Sequence, residues 1–287
     1  MPEGPEVKVI VDGLNSVLKN KYIVDINLTK TGRYRNKAPN GFKDFKSFVT
    51  KKKPKIEKIL VKGKFIYFLI NNGWYIFNQL GMSGIWSHQP QKHTCLILTY
   101  TQSNPNNIIA NIFNSNLKKL YFIDQRHFGI FEFTNKKSIL NQKLNSIGPD
   151  LLNQKVTIQQ FKNILNNHLN KNICKVLMDQ KIISGIGNYL KSEILYESKL
   201  HPLLTIKQLT SKEINNLLKA SQRLIKASYN AQGNSLRHYK NVESEKGTFE
   251  FQLKVYGRKK DPFGNPVKRI KTPDNRSTFF VENIQTL

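Results

Sequence analysis

The first residues of the chain, Met1-Pro2-Glu3, place side by side two groups that together could carry out covalent chemistry. Removal of Met1, which the small Pro2 permits, would leave a free secondary amine at the chain end. An α-amine titrates near about pH 8, so a useful fraction is neutral and nucleophilic at physiological pH, whereas a lysine amine is mostly protonated. Attack on an acetal-type carbon, with loss of its leaving group and opening of the remaining C–O bond, would give a charged iminium, an electron sink that acidifies the neighbouring C–H. Glu3 is placed to shuttle the protons. Taken alone, Pro-Glu-Gly-Pro-Glu reads more simply as a helix start, with Pro5 near the first turn and Glu6 favourable at the positive end of the dipole.

Charge changes that reading. The 46 Lys+Arg against 19 Asp+Glu leave a formal +27 over 287 residues, far beyond what solubility needs. Nucleic acid is the first partner to suspect. On such a partner the iminium would form at a sugar C1′, and the acidified C2′ proton would invite strand cleavage by elimination. A membrane is the competing polyanion, but the longest apolar runs, such as Phe65 to Ile70 and Trp74 to Phe77, are strand-sized. The start has no basic region followed by an apolar core, and Cys95 and Cys174 are too few for a disulfide framework. An intracellular compartment is expected, bacterial, viral-host or nuclear. The length favours two domains over one.

The elements that must position the opening residues follow from periodicity. Val7, Ile10, Val11, Leu14, Val17 and Leu18 recur at helical spacing, which predicts an amphipathic helix packed on a core with its start free to face a substrate. Strand-like runs follow at Ile56 to Val61, Lys64 to Ile70 and Trp74 to Leu80, separated by turns at Lys62-Gly63 and Asn71-Asn72-Gly73. Cys95 to Tyr100, Ile108 to Phe113, Lys119 to Ile123 and Gly129 to Phe133 extend the series. The strands stop between about Thr134 and Asn153, and Gly148-Pro149 marks a turn before helical periodicity. Ile158 to Leu169, Lys175 to Gln180, Tyr189 to Lys199 and Thr210 to Asn230 read as helices, the last with a Thr210 to Glu213 capping box. Beyond Gln232-Gly233 come a loop and short β-like runs at Phe249 to Tyr256 and Ser277 to Val281.

Seven segments in this order resemble the formamidopyrimidine-DNA glycosylase/endonuclease VIII family of base-excision repair enzymes across nearly the whole chain. They are Met1-Pro-Glu-Gly-Pro-Glu-Val7, Lys62-Gly-Lys-Phe65, Leu80-Gly-Met-Ser-Gly84, Asp124-Gln-Arg-His-Phe-Gly129, Leu177-Met-Asp-Gln180, Ser184-Gly-Ile-Gly-Asn-Tyr189 and Tyr256-Gly-Arg258. The resemblance implies an α+β fold: an N-terminal helix and β-sandwich over 1–134, a linker at 135–153, a helix-two-turn-helix domain over 154–232, and a loop with a β-hairpin finger over 233–287. It implies a glycosylase that also cleaves abasic sites by β,δ-elimination. Its partner is double-stranded DNA carrying oxidised bases or abasic sites, with no cofactor, no membrane and a monomeric state expected.

The resemblance assigns Pro2 as nucleophile, Glu3 as general acid/base, and Lys64, on the strand after the Lys62-Gly63 turn, as the lysine that contacts phosphates and assists proton transfer. A solvated strand-edge cation, as Lys62 is expected to be, is the bland reading of Lys64. An enzyme acting on a duplex base must flip it out of the stack, at a cost of a few kcal/mol that inserted apolar wedges offset. Met82 and Phe128 match such wedges and Arg126 the residue facing the orphaned base, although a lone Met or Phe is ordinarily core. Gly185-x-Gly187-Asn188 precedes a helix, where free backbone N–H groups point at anions, and Asn188 is expected to reach a phosphate. An ordinary helix cap is compatible with that role. His93 matches a DNA-contacting histidine or is a satisfied surface residue.

The chain end departs from the bacterial pattern of a four-cysteine zinc finger. No cysteine follows Cys174, and Asp261-Pro-Phe-Gly-Asn-Pro266 occupies the first knuckle, so no zinc is expected by that route. Asn275-Arg-Ser-Thr-Phe279 keeps the arginine of the finger tip. This is similar to the zincless finger of eukaryotic and giant-virus Nei-like enzymes, and Asn172-Ile-Cys-Lys175 and Gly187-Asn-Tyr-Leu190 lean the same way. Arg276 is then the DNA-contacting finger residue implicated in the second elimination, or one more surface cation. The zincless finger points to oxidised pyrimidines and hydantoins as substrates, whereas the length of the Gly233 to Arg258 stretch is similar to the loop that caps an oxidised purine. A non-catalytic DNA-binding protein on the same scaffold is the rival from another class.

Overall fold

A computed structural model of the protein describes residues 2–105, 116–233 and 248–287. The strand expected at Ile108 to Phe113 and most of the Gly233 to Arg258 stretch lie outside the described residues. The described chain forms two compact units, one of Pro2 with Glu6–Leu144, the other of Glu3–Pro5, 145–233 and Thr248–Leu287.

The first unit is a helix on a β-sandwich. Helix α1 (Gly4–Leu18) buries Val7, Ile10, Val11, Leu14 and Leu18, the stripe its spacing predicts. One sheet has the order β1-β6-β7-β5, with β1 at Tyr22–Leu28, β5 at Gly84–Ser87, β6 at Thr94–Thr101 and β7 at Lys118–Asp124. The other runs β2-β3-β4-β8, with β2 at Ile56–Lys62, β3 at Phe65–Ile70, β4 at Trp74–Gln79 and β8 at Ile130–Thr134. Every pairing in both is antiparallel. Trp86 of the first sheet meets Phe68 and Phe131 of the second at 6.1 and 5.9 Å between ring centroids, and one core joins the two inner faces.

Helix α2 (Phe42–Lys52) carries no sequence start signal, because its N-cap is Gly41 at φ 71° with no side-chain cap. A Cβ on Gly41 would stand 1.9 Å from the Phe133 carbonyl oxygen, so chain path rather than capping chemistry fixes that start. A further helix, α3 (Lys137–Asn145), fills part of the stretch read as linker; only Leu140 of it is buried, so its apolar pattern is weak.

The second unit is helical. Its helices are α4 (Ile158–Asn166), α5 (Ile173–Met178), α6 (Asn188–Glu197) and α7 (Ser211–Asn230). Capping boxes at Thr157/Gln160 and Thr210/Glu213 start α4 and α7, each N-cap contributing about 1 kcal/mol. Two turns over 179–187 connect α5 to α6. From Tyr189 to Tyr196, α6 is buried on every side, which leaves its polar side chains in need of partners. The chain ends in a hairpin in which β10 (Ser277–Phe280) pairs antiparallel with β9 (Lys268–Lys271). The β-like run expected at Phe249 to Tyr256 is not a strand: Phe249–Gln252 is a single 3-10 turn, and the three backbone N–H groups from Lys254 to Tyr256 bond a side chain, Glu193, instead of a neighbouring strand.

Candidate active site and nucleic-acid interface

Glu3 is the most constrained of the expected site residues. The residue is 4% exposed, and its carboxylate accepts hydrogen bonds from the backbone N–H groups of Gly187 (2.7 Å), Tyr189 (2.9 Å) and Leu190 (3.3 Å). The first turn of α6 has no intrahelical acceptors for these donors and carries the positive end of the dipole, so an anion is favoured there. A Cβ on Gly187 would lie 2.3 Å from the Glu3 carboxyl carbon, which makes glycine a condition of the contact. Gly4 N–H also donates to the Gly185 carbonyl at 2.7 Å. These contacts correct one expectation: the backbone donors of Gly187, Tyr189 and Leu190 receive the protein's own carboxylate rather than lying open to a phosphate. Pro2 and the first residues of α1 are buried.

Lys64 lies in the two-residue turn between β2 and β3, not on the strand, because the Lys62↔Phe65 pair closes the hairpin and leaves Gly63 (φ 58°) and Lys64 at its tip. Lys62 is not a solvated cation: its Nζ donates to the Leu144 carbonyl at 2.8 Å. The two lysines of the motif thus differ in position, Lys62 tied to α3 and Lys64 half-buried at the turn.

Met82 and the Arg126 to Phe128 loop come together in the first unit. Gly81 has φ 64°, and a Cβ there would stand 2.7 Å from the Phe128 carbonyl carbon, so the two turns touch backbone to backbone. Asp124, 1% exposed, ties them: one oxygen accepts from Ser83 Oγ at 2.6 Å, the other from Gly129 N–H, while Arg126 N–H donates to Ser83 Oγ at 2.9 Å. Ser83 and Asp124 lie inside quoted motifs, yet only the fold shows their joint task. Phe128 is 49% exposed, Arg126 stands with Cζ 5.4 Å from its ring centroid, and Met82 is half-buried. His93 stands 5.6 Å ring to ring from His127, and its carbonyl accepts from Asp124 N–H, which brings it beside the same loop.

The remaining residues belong to the second unit. Arg276 is exposed on the turn between β9 and β10, and Asn188, at the first position of α6, donates from Nδ2 to the Ser277 carbonyl at 2.9 Å. Where the resemblance implies the lost first knuckle, Asp261 accepts from Phe263 N–H, Asn265 N–H, Asn265 Nδ2 and Tyr196 Oη, all between 2.8 and 3.0 Å. Burial raises its pKa, but these bonds outweigh burial and hold the carboxyl below its ordinary value. Among the described residues no group of three or more His, Cys, Asp or Glu side chains could hold a metal ion.

Helix, β-sandwich, a two-turn connection between helices and a terminal hairpin together define the architecture of a DNA-repair glycosylase, which known proteins share. Residues 1–131 match the formamidopyrimidine-DNA glycosylase N-terminal domain, 147–240 its H2TH domain and 240–286 its C-terminal domain. The formamidopyrimidine-DNA glycosylase of Ureaplasma parvum is 30% identical over 99% of this chain and 100% of its own, and that of Mycoplasma mobile 29% identical over 100% of both. A Lactococcus lactis Fpg mutant solved with a Fapy-dG-containing DNA superposes with a TM-score of 0.84 at 24% identity over the whole of both chains. The chain belongs to the formamidopyrimidine-DNA glycosylase family. It is a DNA glycosylase of base-excision repair.

Proposed function

We propose that this glycosylase is bifunctional, excising oxidised bases and then cleaving the abasic site through a Schiff base on Pro2. The Pro2 amine attacks C1′ as the C1′–N bond breaks and the base leaves with a proton; Glu3 then protonates the ring oxygen, the C1′–O4′ bond opens, and the nitrogen lone pair forms the C=N+ bond. The resulting iminium acidifies C2′, and loss of that proton expels the 3′ phosphate and then, after a second deprotonation, the 5′ phosphate. Glu3 supplies and removes protons at the sugar, Lys64 assists at the lesion, and Arg276 assists the second elimination. Met82, Arg126 and Phe128 fill the space left by the flipped base; Asn188 and His93 hold the strand. The observation that carries the reading is the Glu3 carboxylate, oriented by three backbone donors one residue from the nucleophile. A protein that only binds DNA has no use for a fixed, buried carboxylate beside a terminal amine.

For substrate, the finger without zinc ligands supports oxidised pyrimidines, hydantoins and formamidopyrimidines. The purine-directed reading is favoured by the name its relatives carry and by the length of the Gly233 to Arg258 stretch. The enzyme works as a monomer on duplex DNA inside the cell, and no described helix is long and apolar enough to cross a membrane. Duplexes carrying thymine glycol, 5-hydroxyuracil, a hydantoin, a formamidopyrimidine or 8-oxoguanine opposite cytosine test the preference. Fastest excision of 8-oxoguanine would overturn the pyrimidine assignment, and excision of none would favour a binding protein.

A further inference from the structure

The polar side chains of α6 end on the segment from 254 to 279. Glu193 accepts from the backbone N–H groups of Lys254, Val255 and Tyr256, Ser192 Oγ accepts from Phe279 N–H, and Tyr196 Oη donates to Asp261. Lys191 goes further. Its side chain is 0% exposed, and its Nζ stands 2.7 Å from Asp274 Oδ2, on a carboxylate itself 5% exposed. Desolvating two ions roughly cancels their attraction, so such a pair contributes little net stability and its use must be sought in the geometry it enforces.

Asp274 sits in the turn 272–276 that carries Arg276. Its second oxygen accepts from Thr272 Oγ1. Thr272 N–H in turn donates to the Arg276 carbonyl at 2.9 Å, with the Thr272 Oγ1 proton shared between Asp274 and that same carbonyl, 3.0 Å away, while Asn275 takes φ 61° to complete the turn. The turn is held from α6 through one chain of contacts: Lys191, Asp274, Thr272, the backbone of Arg276. We propose that the buried Lys191–Asp274 pair is a positioning device that locks the finger turn and presents Arg276 at one fixed place on the DNA. A charge pair defines direction as well as distance, which apolar packing of this short hairpin would not.

The inference rests on Arg276 being a DNA contact, and the test keeps the two separable. Lys191→Met or Asp274→Asn alone leaves a lone buried charge and is expected to unfold the finger. The double variant Lys191→Met with Asp274→Asn removes both charges at nearly constant volume and keeps the Thr272 bond, so it is expected to fold. In the wild type, backbone amides over 272–277 should resist hydrogen exchange as amides of α6 do; in the double variant they should exchange about tenfold faster while α7 is unchanged. Arg276→Ala should weaken duplex binding severalfold in the wild type and less than about twofold in the double variant, the non-additivity expected of coupled groups. Unprotected turn amides in the wild type, equal protection in both proteins, or an equal loss on Arg276→Ala in both backgrounds would overturn the lock. An Arg276→Ala change silent in the wild type, with the exchange difference intact, would sink the DNA role of Arg276 and leave the lock standing.

Discussion

The Glu3 carboxylate accepts a hydrogen bond from the Gly187 backbone N–H at 2.7 Å across 184 positions of sequence, in a space that only glycine leaves open. The residue proposed as proton carrier is therefore held by the first turn of a helix rather than by a side-chain partner, and its orientation depends on the absence of one methyl group.

Glu3→Gln turns an acceptor oxygen into an NH2 group facing N–H donors, and at least one buried donor loses its bond at a cost of about 1–3 kcal/mol. The melting temperature should fall, and base excision should fall much more than cleavage of pre-formed abasic sites, where the base has already left. Gly187→Ala should show the same bias with the carboxylate chemically intact, because its Cβ would displace Glu3. Single-turnover rates on lesion and abasic duplexes measure this. An equal loss on both substrates would detach Glu3 from the base-loss step.

Met82→Ala and Phe128→Ala should impair lesion excision more than affinity for undamaged duplex. Ser83→Ala should resemble them, because it removes the hydroxyl that joins Asp124 to the Arg126 N–H and so loosens both turns. Excision assays beside binding titrations decide the matter. Wild-type excision by Ser83→Ala would show that the two turns hold their geometry without the tie.

Binding to damaged and undamaged duplex should weaken alike in Asn188→Ala and Arg276→Ala. Loss of the arginine should also flatten the dependence of log K on log salt by about one unit, whereas loss of the neutral Asn188 should leave the slope unchanged. Titrations at several salt concentrations read both values. A lesion-specific defect in either variant would contradict their assignment to backbone contacts.

Much of this arrangement is legible in sequence, and the gaps have physical causes. The α1 stripe, the Thr210 capping box and the strands around Asn71-Asn72-Gly73 follow from period and turn chemistry, which are local. Helix α2 is hidden because Lys-rich spacing masks Phe42, Phe45 and Val49 and because its start carries no cap signal. At the start of α6 the sequence shows an anion site but not the anion, since nothing local tells that Glu3 reaches it. Lys191 reads as one more cation among many until the fold buries it against Asp274.

His201 offers a pH test of the finger's seat. Burial lowers its pKa, against a smaller upward pull from Glu282; its ring meets Phe280 of β10 at 5.0 Å, and its Nδ1 accepts from Leu203 N–H. The folded state thus favours neutral imidazole. That contribution is present above the ordinary histidine range near about 6.5 and is lost as pH falls through the lowered folded value. The wild-type melting temperature should fall more steeply on acidification below about pH 6.5 than that of His201→Gln, which keeps an acceptor for Leu203. Parallel curves would remove His201 as the cause.

The central claim is that the amine of Pro2 forms the covalent intermediate, and borohydride trapping tests it most directly. Wild-type protein incubated with abasic-site duplex and borohydride should yield a stable protein–DNA adduct in which the reduced bond maps to Pro2. Pro2→Gly should lose most of that adduct although its finger and helices melt as before. An adduct at wild-type level in Pro2→Gly, mapped to a lysine, would contradict the account.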